Sequence, residues 1–198
     1  MASSKREELI DTACRLFYEN GIHATGIDRI LAEAGVSKMT LYKHFKSKEE
    51  LVLAAVRRQD EVFRNDFMKE LERRATAPAE RLLAIFDVME DWLKRPGFHG
   101  CPFINAAAEY GEPESPIRQA CAEHNRLVRG YLRDLTIAAG VPEPTELAGQ
   151  INLLISGAIV ATYVDHEENA ARWAKQVAEI LIENALKESV SLPAAASG

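Results

Sequence analysis

An all-α fold is expected from three observations. Apolar residues recur at helical spacing through nearly every segment, glycine and proline punctuate those segments, and no stretch alternates cleanly enough to argue for a strand. About nine helices are expected, three short ones first and a larger helical body after them, with no internal repeat.

The first helix is expected in SKREELIDTACRLFYENG. Leu9, Ile10, Ala13, Leu16 and Phe17 fall on one face there, and Gly21 offers a stop. In TGIDRILAEAG, Thr25 followed by Asp28 has the form of a capping box, and Ile27, Ile30, Leu31 and Ala34 make the apolar face. Gly35 is suited to the left-handed conformation that ends a helix. Only Val36 separates it from Ser37, a good N-cap for the helix KMTLYKHF, whose Leu41 and Phe45 face inward at i, i+4. A second capping box, SKEE at Ser47 to Glu50, opens a long helix to about Arg74. TAPAE breaks the chain, and Pro78 fits the first turn of a helix reaching about Lys94. After the loop RPGFHGCP come a short helix, FINAAAEY, and the break GEPESP. Helices are then expected over Ile117 to Ala139, Thr145 to Val164 and Glu168 to Lys187, and the tail SVSLPAAASG should fray.

The 198 residues suit one large domain, or a small one fused to a larger, with apolar and charged fractions of 47% and 27% that allow an ordinary core. Three widely spaced cysteines give no disulfide framework and point to a reducing compartment. The N-terminus MASSKREELI lacks the apolar stretch of a signal peptide. The most apolar run, Ile151 to Val164, has 14 residues against the ~20 a membrane span needs, so it reads as a core or interface helix. A soluble, cytoplasmic chain with no membrane partner is expected.

Charge is distributed unevenly. The whole chain carries −6, yet Thr25 to Lys48 holds five cations against two carboxylates, and residues 49–198 carry −8. Two short helices joined by a tight glycine turn, the second one basic, read as a helix-turn-helix with a local positive face for DNA phosphates. With Leu41 and Phe45 inward, Lys38, Met39, Thr40, Tyr42, Lys43 and His44 are left outward or lateral. The Thr40 methyl suits a thymine methyl and Lys38 suits guanine acceptors. Tyr42, His44 and Lys48 suit phosphates, which set register, and Thr25 offers a hydroxyl and a helix start to another phosphate. A solvated basic surface is the plain alternative.

Phe17 to Leu51, FYENGIHATGIDRILAEAGVSKMTLYKHFKSKEEL, resembles the DNA-binding head of the tetracycline-repressor (TetR) family. The matching features are G-x-x-x-T at Gly21 to Thr25, AGVS followed by LY-x-HF, and SKEEL. The resemblance implies a homodimer of two-domain subunits on a double-stranded DNA operator. It implies three head helices, a connecting fourth, and a body that binds a small-molecule effector and dimerises. Positions matching Thr25, Ser37, Lys38, Thr40, Tyr42, His44 and Lys48 are implied to face DNA. Met39 departs from the small residue common in the family at that place, and an apolar contact to a thymine methyl fits it. The domains expected are 1–48 for DNA binding, 49–190 for ligand and dimer contacts, and 191–198 as a flexible tail.

In the body, Ile151, Leu154, Ile155 and Ala158 on one helix, and Trp173, Val177, Ile180 and Leu181 on the next, are expected to pair with a two-fold mate as a four-helix bundle. An effector pocket is expected among Phe86, Met89, Trp92, Phe98, Cys101, Phe103, Tyr110, Tyr131 and Tyr163, with Asn105 and Glu109 as polar anchors. Most such residues pack rather than line a pocket. Cys101 stands just before a helix start, where the dipole would lower a thiol pKa, although a small buried residue is the plainer reading. Cys121 and His124 share a helical face, but two ligands make no metal site. No cofactor and no catalytic residue are expected. A ligand-responsive repressor is the function expected. A helical-bundle enzyme finds no Glu-x-x-His pair, phosphate loop, G-x-S-x-G or HExxH, and an interaction module with a basic head is a third possibility.

Overall fold

A computed structural model describes residues 4–191, with side chains through Lys187. Among the described residues there are nine helices and no strand. They are α1 (Lys5–Asn20), α2 (Ile27–Ala34), α3 (Lys38–His44), α4 (Lys48–Arg74), α5 (Pro78–Leu93), α6 (Pro102–Glu109), α7 (Pro116–Ala138), α8 (Pro144–Asp165) and α9 (Ala170–Ser191). The tail expected to fray starts inside α9, and residues 192–198 lie outside the described residues.

Caps explain several boundaries. Ser4 and Glu7 form a capping box on α1: the Glu7 N–H donates to Ser4 Oγ, and the Ser4 N–H donates to Glu7 Oε2. The expected box at Thr25 does not form. Gly26 is the N-cap of α2 and no side chain caps it, because the Thr25 hydroxyl donates instead to Gly21 O at 2.7 Å. Ser47 caps α4 by accepting the Glu50 N–H, as expected, but the Glu50 carboxylate reaches back to the Lys46 N–H rather than to Ser47. Pro78 starts α5 as expected.

The packing forms two compact units, and they do not follow chain order. One holds the residues up to Asn65 together with Cys101–Asn125. Its core joins Leu9, Leu16, Ile30, Leu41, Leu51 and Val52 of the first four helices with Phe103 and Ala106 of α6 and Ile117 and Cys121 of α7. Thus α6 and the first turns of α7 share a core with the head helices, on the far side of residue 48 in sequence.

The other unit holds Asp66–Gly100 and the residues from Arg126 onward. There α9 packs on α8 and α5. The inward face of α9 is lined by Ala170, Ala171, Ala174, Ala178 and Ile182, all buried, and the alanines allow close helix approach. Lys175 spans from α9 to Asp87 of α5 at 2.7 Å. The apolar run read as too short for a membrane lies within α8, whose 22 residues are long and apolar enough to cross one by length and composition. Its partners are α9 and α5.

Candidate nucleic-acid interface

The turn between α2 and α3 is short because Gly35 takes the left-handed conformation, at φ 63°, and its N–H closes on Leu31 O. Ser37 then caps α3 through the Thr40 N–H, and the Ser37 and Thr40 hydroxyls share a hydrogen bond at 2.9 Å. Leu41 and Phe45 are buried and anchor α3 to the unit's core. The rest of the helix faces out: Ser37, Lys38, Tyr42, Lys43 and His44 are exposed, Met39 is 82% exposed, and Thr40 is half-buried. A cation absent from the sequence reading joins this end. The Arg6 guanidinium lies 5.3 Å from the centre of the Phe45 ring. Nothing in its local sequence marked it, since α1 brings it there only through packing.

Two expected phosphate contacts have other work. Thr25 is fully buried, with its hydroxyl on Gly21 O and Leu16 O, so it cannot meet DNA; it pins the turn between α1 and α2. Lys48 is half-buried and gives one N–H to Ile22 O at 2.6 Å, leaving two donors on the ammonium.

The same turn is held by α6. Glu109 accepts the Ile22 N–H at 2.7 Å on Oε1 and the His23 N–H at 2.6 Å on Oε2, and His23 Nδ1 lies 2.8 Å from Oε2. Burial pushes the Glu109 carboxyl upward, but the two amides and the imidazole outweigh it and hold it below the usual range. Tyr110 packs on the His23 ring at 5.2 Å. Glu109, expected as an effector anchor, thus has three of its acceptor sites engaged at the head turn, two by amides and one by the His23 ring. Asn105 lines a small cavity with Phe17, Ile22, Val56, Gln59 and Glu109. Its volume of about 20 Å³ is the size of a water.

The remaining effector candidates divide between the units. Phe103 is buried in the first, stacked on His124 at 3.5 Å. His124 Nδ1 lies 2.8 Å from Asp60 Oδ1, and Asp60 takes two further hydrogen bonds from Arg64 at 2.9 Å. Burial lowers the His124 pKa against the pull of Asp60, which favours the neutral ring, and the Asp60 carboxylate favours the tautomer with its proton on Nδ1. Asp60 stays below its ordinary value: burial raises it, and the bonds from Arg64 and His124 outweigh that. Among the described residues no three side chains are grouped to hold a metal ion. In the second unit Phe86 and Met89 are core residues, while Tyr131 is half-buried. Trp92 and Tyr163 meet the Phe98 ring edge-on at 5.1 and 6.3 Å. For Cys101 the plainer of the two readings is favoured: burial pushes its thiol pKa up and outweighs the hydrogen bonds from the Ile104 and Phe103 amides. Burial also takes Cys121 to about 11 and Cys14 to about 12.

The expected pairing residues need revision on α8. Ile151 and Ala158 are buried within their own unit and cannot meet a mate. Leu153, Val160 and Val164, not anticipated, are exposed at i, i+7 and i+11, and Tyr163, expected at the effector pocket, is exposed beside them. On α9, Trp173, Val177 and Ile180 are exposed as expected, and Leu154, Ile155 and Leu181 are half-buried.

A short helix held by two inward anchors, presented after a glycine turn with a cationic outer face, defines a helix-turn-helix DNA-binding protein. Comparisons with known proteins agree. The profile of bacterial regulatory proteins of the tetR family matches residues 9–55, and that of the tetracyclin repressor-like C-terminal domain matches residues 78–178. The HTH-type transcriptional regulator LmrA of Bacillus subtilis is 30% identical over 165 residues, covering 78% of this chain and 84% of LmrA. The HTH-type transcriptional regulator YjdC of Escherichia coli is 24% identical over 181 residues, covering 90% and 93%. A solved TetR-family transcriptional regulator from Streptomyces coelicolor superposes with a TM-score of 0.85 at 31% identity, over 92% of this chain and 96% of the other. The chain belongs to the TetR family of transcriptional regulators.

Proposed function

We propose that this regulator is a cytoplasmic homodimeric repressor that leaves a palindromic operator when a small molecule binds. The observation that carries the reading is the outward face of α3, where Lys38, Met39, Tyr42, Lys43 and His44 are exposed together while Leu41 and Phe45 are buried. Two-fold pairing through α8 and α9 would set two such helices roughly 34–36 Å apart, in successive major grooves. The exposed stripe Leu153, Val160, Val164, Trp173, Val177 and Ile180 supports that pairing.

For the effector, the aromatic cluster Trp92, Phe98 and Tyr163 favours a flat apolar molecule. Its action must come from differential affinity for two states, typically ~1–3 kcal/mol of coupling. Helix α4 is the natural carrier, since its first part belongs to one unit and its last turns to the other. The test is a gel shift with DNA from upstream of its own gene, repeated with candidate effectors. Salt-sensitive, sequence-selective retention that a small molecule abolishes is expected. Equal retention of unrelated duplexes would remove the reading.

A further inference from the structure

We propose that Met39 is the residue by which α3 selects thymine, packing its thioether end against a base C5-methyl group in the major groove of each half-site. The inference rests on the operator-binding reading above and adds what that face recognises.

Met39 is the most exposed of the large apolar side chains among the described residues, at 82%. It is the second residue of α3, about 160° around the helix from the buried Leu41, so it leads the face turned away from the core. The polar side chains at this helix start are already engaged: Ser37 Oγ caps the Thr40 N–H, and the two hydroxyls bond each other. Lys38 and Met39 are left to project. Lys38 immediately precedes Met39 and Lys43 lies one helical turn on, both exposed, so this face carries cations for phosphates beside an apolar tip. Methionine has no donor and only a weak acceptor, so it reads a base edge by apolar contact alone. The major groove offers it one apolar group, the thymine C5-methyl. The unbranched thioether adjusts to that methyl without a fixed rotamer.

The experiment selects, from random duplexes, those retained by the full chain, and then replaces single thymines of the selected half-site with uracil, which lacks the methyl. One thymine per half-site is expected to lose about three- to tenfold in affinity on this replacement with the natural protein and with Met39→Leu. The loss is expected to shrink below about twofold with Met39→Ala. Uracil effects that are the same in the natural protein and Met39→Ala at every position, or a selected half-site without thymine, would overturn the inference and leave the regulator reading standing. Selection that yields no preferred sequence would overturn the operator reading and the inference together.

Discussion

Thr25, Lys48 and Glu109 all spend polar atoms on the turn between α1 and α2. For Thr25→Val, Gly21 O loses the hydroxyl donor while Leu16 O keeps the Asn20 amide, and a loss of about 1–3 kcal/mol is expected in chemical denaturation; an unchanged midpoint would contradict the pin. Glu109 adds a pH dependence. Its folded pKa lies below the unfolded value, so its contribution is complete at neutral pH and is lost as pH falls from the ordinary carboxylate range through the depressed folded value. Glu109→Gln is expected to flatten that acid limb in thermal melts. His124 acts in a window above it. Its folded pKa is also depressed, so the stability of its neutral form is full above about 6.5 and fades as pH falls below that. His124→Asn should remove the slope in that window, and an identical slope would exclude His124 as its source. None of these residues announced its job in the sequence. Thr25 looked like a cap because Asp28 follows three residues later, but the cap is decided by which residue takes the extended backbone, and that is Gly26. Glu109 was read as a polar anchor for an effector, and its partner His23 is 86 residues away along the chain.

At the scale of elements, α3 was the most legible because everything that shapes it is local. The Gly35 turn, the Ser37 cap and the Leu41/Phe45 pair lie within eleven residues, and each is in the structure as expected. Two expectations follow for DNA binding. Tyr42→Ala should weaken operator binding about equally across sequences, as a lost phosphate contact does, and an unchanged affinity at several salt concentrations would exclude that role. Lys43→Ala should reduce the slope of log affinity against log salt by about one, which a salt titration reads directly. Helix α8 was the least legible. It is apolar on nearly every side, so periodicity could not separate Ile151 and Ala158, which face their own unit, from Leu153, Val160 and Val164, which face solvent. A helix with two apolar faces has no moment to read.

For the whole molecule, the exposed stripe on α8 and α9 makes oligomeric state the decisive measurement. Trp173→Asp should give a folded monomer by light scattering, because a half-exposed tryptophan becomes a charge where two copies would meet. Ile151→Asp should fail differently, losing the folded protein, because it buries an unpaired charge in the core. A Trp173→Asp dimer as stable as the parent would reject this pairing surface. By itself, the chain's amino-acid order determined the helices, the glycine turn before α3 and the cationic helix-turn-helix, since each depends on dihedral preferences and side chains a few residues apart. Only the tertiary structure decided that α6 shares a core with the head, that Glu109 holds a head turn, and which side of α8 is outermost. Those outcomes depend on contacts between distant segments, and the periodicity of one segment carries no information about which partner covers it.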